Sequence, residues 1–305
     1  MWLLNGKNNG FSNARRENRT IKALGSAVKL KSQKMQAAPL VLASPHSGRH
    51  YPDSFLAMSR LSLDQLRMGE DAFIDQLIEP LSRFGIPTLA AEFPRSFVDV
   101  NRSPEELPPE YAAKTKIGQK PVSSRARAGL GVVPSKIAQN MEIYKHPLTY
   151  LQARSRIERF YKPYHAQLTQ LLEQAHRQFG RAVLIDCHSM PGRGPSGEKR
   201  ADIILGDRFG KSCRADLTTH LEQVFTSHGY SVTRNHPYAG GYVTHHYGNP
   251  DLNIDAIQIE INKDLYLNPV TMETHSGMKK LAANFEKAIL QVLEPLLPAA
   301  NIAAQ

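Results

Sequence analysis

Ala182-Val-Leu-Ile-Asp186, continuing into Cys187-His188-Ser189, is the stretch on which the fold turns. Four apolar residues without a polar break read as a strand buried on both faces, and an acid, a thiol, an imidazole and a hydroxyl follow at its carboxyl end. Working outward, Leu40-Val-Leu-Ala43, Thr88-Leu-Ala-Ala91, Phe97-Val-Asp-Val100, Ile203-Ile-Leu205, Tyr230-Ser-Val-Thr233 and Ala256-Ile-Gln-Ile-Glu-Ile261 read as further strands. Helical spacing of apolar residues links them. Ser62 caps a helix whose apolar residues run from Leu63 through Leu66, Phe73, Leu77 and Ile78 to Leu81. A long helix is expected over 148–178, kinked or divided at Pro163, and others over about 210–228 and 271–294. Strands that alternate with helices imply an α/β fold with a mostly parallel or mixed sheet covered on both faces. Residues 104–140, rich in Pro, Gly, Ser and basic residues, read as a long surface excursion with the length of a functional loop.

The chain of 305 residues is 41% hydrophobic and 22% charged, an ordinary globular composition. No apolar run reaches the ~18–20 residues that span a bilayer, so no membrane partner is expected. Two cysteines, Cys187 and Cys213, make no disulfide framework, which fits a reducing, cytoplasmic setting. The net charge is +10, and residues 1–37 carry eight basic side chains against Glu17, so the leader holds +7 and the rest +3. The domain expectation is a basic, disordered leader over 1–37, a single catalytic α/β domain over 38–297 and a tail over 298–305. Met35 stands just before the first strand, so the leader reads as an upstream extension of the reading frame or as a basic presequence. No nucleic-acid partner is expected, because the charge lies mainly outside the folded part.

Ligands in such sheets bind beyond the carboxyl ends of the strands, and the unusual residues stand there. His46 lies in Ser44-Pro-His-Ser-Gly-Arg49, Asn101 and Arg102 close Asp99-Val-Asn-Arg102, His188 follows Asp186, and Glu260 sits in Gln258-Ile-Glu-Ile-Asn262. Two neutral imidazoles and a carboxylate with one open position describe a catalytic zinc site. Asp71 is the first choice for the third ligand and Glu70 the second. Asp75, four residues on, would share the helical face of Asp71. Asp186, on the same strand face as His188, is placed to orient that ring. Glu260 lies between isoleucines, where a buried charge needs a partner or a purpose.

Six short motifs in one order are similar to those of the N-formylglutamate amidohydrolases. They are Ser44-Pro-His-Ser-Gly-Arg49 with Tyr51-Pro52, Asp71 with Asp75, Asp99-Val-Asn-Arg102 with Ser103-Pro104, Asp186-Cys-His-Ser-Met-Pro191, Pro237-Tyr-Ala-Gly-Gly-Tyr242, and Glu260-Ile-Asn262 with Leu265-Tyr266. The resemblance spans about 40–295. It implies a zinc-peptidase-like, three-layer α/β fold and hydrolysis of N-formyl-L-glutamate to formate and glutamate, a step of histidine breakdown. Asp99-Val-Asn-Arg102 also resembles a motif of the related aspartoacylases, in which the Asn-Arg pair holds the substrate carboxylate. In that wider group a glutamate ligand follows the first histidine by three residues; here Arg49 stands in that place, which returns the third ligand to Asp71.

The expected reaction thus uses one zinc ion on His46, Asp71 and His188, water as nucleophile, Glu260 as general base, and Asn101 and Arg102 to clamp a substrate carboxylate. His246, after the Gly240-Gly241 turn, is a candidate donor to the oxyanion. Two rivals remain: a zinc peptidase or deacylase acting on another N-acyl amino acid or peptide, and a nucleic-acid-binding protein with a basic arm. A thiol nucleophile at Cys187 is disfavoured, because neighbours on a strand point to opposite faces.

Overall fold

The computed structural model describes residues 27–33, 35–111, 123–138 and 140–297. Most of the basic leader and the C-terminal tail lie outside the described residues. The described residues gather into two compact units. One takes the chain up to Lys29, Gly48–Glu70 and Ala91–Ala166. The other takes Leu30–Ser47, Asp71–Ala90 and the chain from Gln167 onward.

The second unit is built on a seven-stranded sheet of β1 (Val28–Lys31), β2 (Leu40–Ser44), β3 (Thr88–Ala91), β4 (Ala182–Met190), β5 (Ile203–Gly206), β6 (Val232–Arg234) and β7 (Ile254–Asn262), in the order β1-β3-β2-β4-β7-β5-β6. β2 runs parallel to β3 and β4, and β4 parallel to β7, whereas β5 runs antiparallel to β7 and parallel to β6. The sheet is mixed, as the alternation of elements implies. The leader, expected to be disordered as far as residue 37, supplies β1: Val28-Lys-Leu-Lys31 has the period-two pattern of an edge strand.

β4 and β7 show how the sequence divides its labour. Val183, Ile185 and Cys187, with Ile257, Ile259 and Ile261, point into an apolar core shared with Leu217, Phe225, Phe285 and Ile289. Their even-numbered neighbours Asp186, His188, Gln258 and Glu260 face the other way, and all four are buried. Each apolar side chain contributes roughly 1.5–3 kcal/mol, and each buried polar group without a partner costs about 1–3 kcal/mol. A polar face at the centre of a sheet is therefore retained only where its groups satisfy one another or a ligand.

Three expectations about elements differ from the structure. The helix from Ser62 to Leu81 is not continuous: Ser62 caps only Leu63–Arg67, through a capping box with Gln65, and a new helix begins at Ile74–Ile78 after Phe73 in the left-handed region at φ 65°. Asp71 thus lies in the break, and the shared helical face with Asp75 is lost. Phe97–Val100 is not a strand. Phe97 and Val98 turn back on the carbonyl of Pro94, and Asp99 accepts from the backbone of Asn101. These residues are buried by the first unit's aromatic core, in which Arg156 lies 4.1 Å from the Phe97 ring centre, 5.5 Å from that of Phe55, and donates to the Tyr144 hydroxyl at 2.6 Å. Within 104–140 the described part is not all surface: Tyr111, Val132 and Val133 are buried.

The helix over 148–178 is divided as expected, into Tyr150–Arg156 and Lys162–Phe179 by a π turn at Ile157–Tyr161. Lys162 closes that turn by bonding to the carbonyl of Ile157, just before Pro163, which has no N–H to give. No helix among the described residues is long and apolar enough to cross a membrane.

Candidate metal centre

His46 stands in the loop that leaves β2, and its backbone carbonyl accepts from the amide of Asp71 at 3.0 Å. That bond draws the start of the 71–78 segment onto the β2 loop. His188 stands on β4, where register pairs it with Glu260 of β7, while Asp186 pairs with Gln258. Paired residues on parallel neighbours share a face at a spacing of ~5 Å, so an imidazole and a carboxylate stand side by side.

His46, Asp71 and His188 are all buried, and one ligand atom from each lies within 4.8 Å of the others. Asp71 Oδ2 is 2.9 Å from His188 Nδ1 and 3.3 Å from His46 Nδ1. The Asp71 Oδ1 atom accepts from the Ser189 hydroxyl at 3.2 Å. The two imidazoles meet edge to face with ring centres 4.8 Å apart. His188 Nε2 lies 2.8 Å from Asp186 Oδ2. A proton held on Nε2 by Asp186 fixes the tautomer and turns Nδ1 toward Asp71 and His46.

Burial alone would favour the neutral forms of these groups. For His188 burial works downward, but the charges and hydrogen bonds of Asp186 and Asp71 outweigh it and hold the pKa well above the usual value. For Asp71 burial works upward, and the hydrogen bonds of His188 and His46 outweigh it and hold the carboxyl well below its usual range. The surroundings favour positive charge between the carboxylates. Two imidazole nitrogens and one carboxylate oxygen, with a second carboxylate behind one ring, are the donor chemistry of a catalytic zinc site, and the residues fit that ion.

Of the two expected third ligands, Asp71 stands in this group of three. Glu70 is buried, but its carboxylate accepts from the Tyr51 hydroxyl at 2.8 Å and pairs with Arg67 at 3.4 Å, and it is not part of the cluster. Glu260 accepts from Gln258 Nε2 at 2.7 Å. His246 is exposed on the helix Tyr242–Tyr247, stacked against Tyr242 with ring centres 5.1 Å apart, and it stands outside the metal-ligand group. Asn101 and Arg102 lie in the first unit. Arg102 Nε donates to the carbonyl of Leu130 at 3.1 Å and its Nη1 to that of Asn101 at 2.9 Å.

Sequence reasoning missed three contributors: Ser189, Gln258 and Tyr238. Gln258 follows from the period of two on β7, which puts it on the face of Glu260; Ser189 does not, since an odd-numbered residue of β4 alternates away from His188, yet its hydroxyl reaches Asp71 at 3.2 Å. Tyr238 carried no such signal. Its loop packs on β5 at Gly206, where a Cβ would lie 2.8 Å from both Ala239 C and Gly240 N. Burial raises the Tyr238 phenol pKa, Arg200 opposes that, and the charges of Glu260 and Asp71 add to it, so the hydroxyl lies within their field.

The family model for N-formylglutamate amidohydrolase matches residues 38–267. N-formylglutamate deformylase of Pseudomonas putida is 30% identical over 266 residues, covering 85% of this chain and 92% of that protein. The deformylase of Pseudomonas aeruginosa is 28% identical over 87% of this chain and 95% of its own. A crystal structure of N-formylglutamate amidohydrolase from Ralstonia eutropha JMP134 superposes with a TM-score of 0.83 at 33% identity, covering 89% of this chain and 98% of the other. The chain belongs to the N-formylglutamate amidohydrolase family.

Proposed function

We propose that this chain hydrolyses N-formyl-L-glutamate to formate and L-glutamate, with one zinc ion held by His46 Nδ1, Asp71 Oδ2 and His188 Nδ1. The observation that carries the proposal is the buried His46-Asp71-His188 cluster with Glu260 register-paired to His188. The names of the Pseudomonas relatives support the substrate. Zinc bound there supplies a Lewis acid for the formyl oxygen and lowers the pKa of water.

The residues perform the rest. Asp186 keeps the His188 ring in one tautomer, and Ser189 holds the second oxygen of Asp71 in place. Glu260 takes a proton from the attacking water as the water oxygen bonds to the formyl carbon. The C–N bond then breaks, and Glu260 gives its proton to the departing amine. Gln258 fixes the carboxylate for both transfers. Arg102, with Asn101, binds a substrate carboxylate, and Tyr238 is a second donor near Glu260.

The test is formate release from N-formyl-L-glutamate before chelation, after it and after zinc is returned, together with metal content. Activity that disappears and returns with one equivalent of zinc is the expected result. Full activity in the metal-free protein overturns the mechanism, and inactivity in every state overturns the substrate.

A further inference from the structure

Arg200 is half-buried in the second unit, and its side chain is held by a backbone carbonyl and an aromatic ring, with no carboxylate paired to it among the described residues. Fixed points along the chain place it relative to β4 and β7. Its amide donates to the carbonyl of Gly192 at 2.9 Å and its Nη1 to that of Pro191 at 3.1 Å, so it returns to the residues that leave β4 just after Met190. The next two residues are tied to β7. Asn262 donates its Nδ2 to the carbonyl of Ala201 at 3.3 Å and its amide to that of Asp202 at 2.9 Å. Asn262 follows Glu260 by two on β7 and shares its face. Arg200 therefore stands at the carboxyl end of the strand pair, on the side of the sheet that carries His188 and Glu260.

Tyr238 gives the second anchor. Gly206 is paired with Gln258 across β5 and β7, and a Cβ there would lie 3.0 Å from the Tyr238 carbonyl oxygen, so the Tyr238 backbone lies over the polar face at the level of Gln258. From there its ring reaches Arg200, whose guanidinium carbon is 5.3 Å from the ring centre. Gln258, Glu260 and Asn262 are successive positions on one face. A ring that starts beside the first and meets a residue tied to the last passes Glu260. Charge places the ring the same way: burial raises the Tyr238 pKa, the charge and hydrogen bond of Arg200 oppose the rise, and the charges of Glu260 and Asp71 add to it. Arg200, Tyr238, Glu260, Asp71, His46 and His188 all belong to the second unit.

A guanidinium carries five N–H donors in a planar fork. The carbonyl of Pro191 takes one nitrogen of Arg200, and the ring of Tyr238 supports the group by a cation–π contact without neutralising it. The remaining donors suit a carboxylate, and an arginine stays charged to receive one. We propose that Arg200 is a specificity-determining residue that binds one carboxylate of the substrate, with Tyr238 as its platform, so that selection for acidic N-acyl amino acids is built into the unit that holds the metal ligands. This rests on the proposed amidohydrolase reading.

The test uses the metal-loaded full chain with N-formyl-L-glutamate and its two monoamides: N-formyl-L-glutamine, which lacks the side-chain carboxylate, and N-formyl-L-isoglutamine, which lacks the α-carboxylate. Arg200→Met raises KM for the diacid by roughly tenfold or more. The increase persists for one monoamide and disappears for the other, the one whose missing carboxylate Arg200 holds. Arg200→Lys, which keeps the charge without the fork, recovers part of the loss. An equal effect of Arg200→Met on all three substrates, as from a disturbed 191–200 loop, or no effect on any, overturns the proposal. Calorimetric Kd values in a Glu260→Gln background report on binding without turnover. Loss of diacid affinity on Arg200→Met, shared by one monoamide only, upholds the assignment even if the wild-type chain releases no formate, a result that sinks only the reaction. Unchanged affinity, or no binding of the diacid by the parent protein, overturns the assignment whatever the turnover.

Discussion

The two units spend their buried charge in opposite ways. In the second, Asp71, Asp186 and Glu260 stand around or beside two imidazoles, and the carboxylates are in excess. In the first, Arg95 pairs with Asp99 Oδ2 at 2.8 Å and Arg102 Nε lies 4.0 Å from the same oxygen, so two guanidiniums share one buried carboxylate. Taking one sign of charge out of water is costly unless a partner of the other sign joins it. On the proposed reading the sign in excess matches the ligand: a metal cation at the carboxylate-rich cluster and a substrate carboxylate at the cation-rich one. The rigidity differs too. The carboxylate-rich cluster stands mainly on a central strand pair with a nine-residue register, whereas the cation-rich cavity stands on turns and loops held by backbone carbonyls.

The largest expected effect breaks the carboxylate-rich side without touching its ligands. Glu260→Gln retains one equivalent of metal and loses roughly 10²–10⁴-fold in kcat, measured as formate release alongside metal content. Undiminished turnover removes Glu260 from the mechanism. Asp71→Asn and Glu70→Gln make the companion pair. The first loses the metal, and the second, which alters only the contacts with Tyr51 and Arg67, keeps it.

On the cation-rich side, Arg102→Ala raises KM for acidic substrates by roughly 10–100-fold, the cost of a charge-assisted pair. Neutral N-formyl substrates are affected far less. Equal losses for both classes would show that Arg102 holds the 95–102 turn together instead of reading charge. Asp186→Asn tests the support of a ligand: removing the acceptor behind His188 weakens zinc affinity by roughly 10–100-fold, read in competition with a chelator of known affinity, while kcat at saturating zinc changes less.

The difference between the clusters also explains what was legible in the sequence. His46 and His188, which the structure brings together with Asp71, are legible because they stand at or beyond the carboxyl ends of strands, and the strand-forming runs from β2 to β7 are mostly legible for the same reason. Asp71 and Glu70 are adjacent acids with equal claims in sequence; the backbone bond from Asp71 to the His46 carbonyl and the left-handed Phe73 separate them. Neither leaves a trace in apolar spacing, which runs unbroken from Leu63 to Leu81. Phe97–Val100 misleads for a related reason: its apolar residues are buried, but Phe97 packs against Arg156 instead of pairing in a ladder.

The smallest expected effect contrasts the two faces of one strand. Cys187 lies between Asp186 and His188, yet it points into the apolar core and is fully buried, as is Cys213. Burial, and then the charge of Asp186, raises the Cys187 thiol pKa well above its usual value. Burial, and then Asp255, pushes Cys213 up to about 12. The thiolate is the reactive species, so near neutral pH both side chains remain protonated and shielded from reagent. Iodoacetamide is therefore expected to label neither cysteine in the native chain and both in urea, counted by mass, with formate release retained within about twofold, since shielded structural thiols are inert. Rapid native labelling with loss of activity would mean that the strand presents its odd-numbered face to the substrate. The assignment of Asp186, His188 and Glu260 to one polar face would then be reversed.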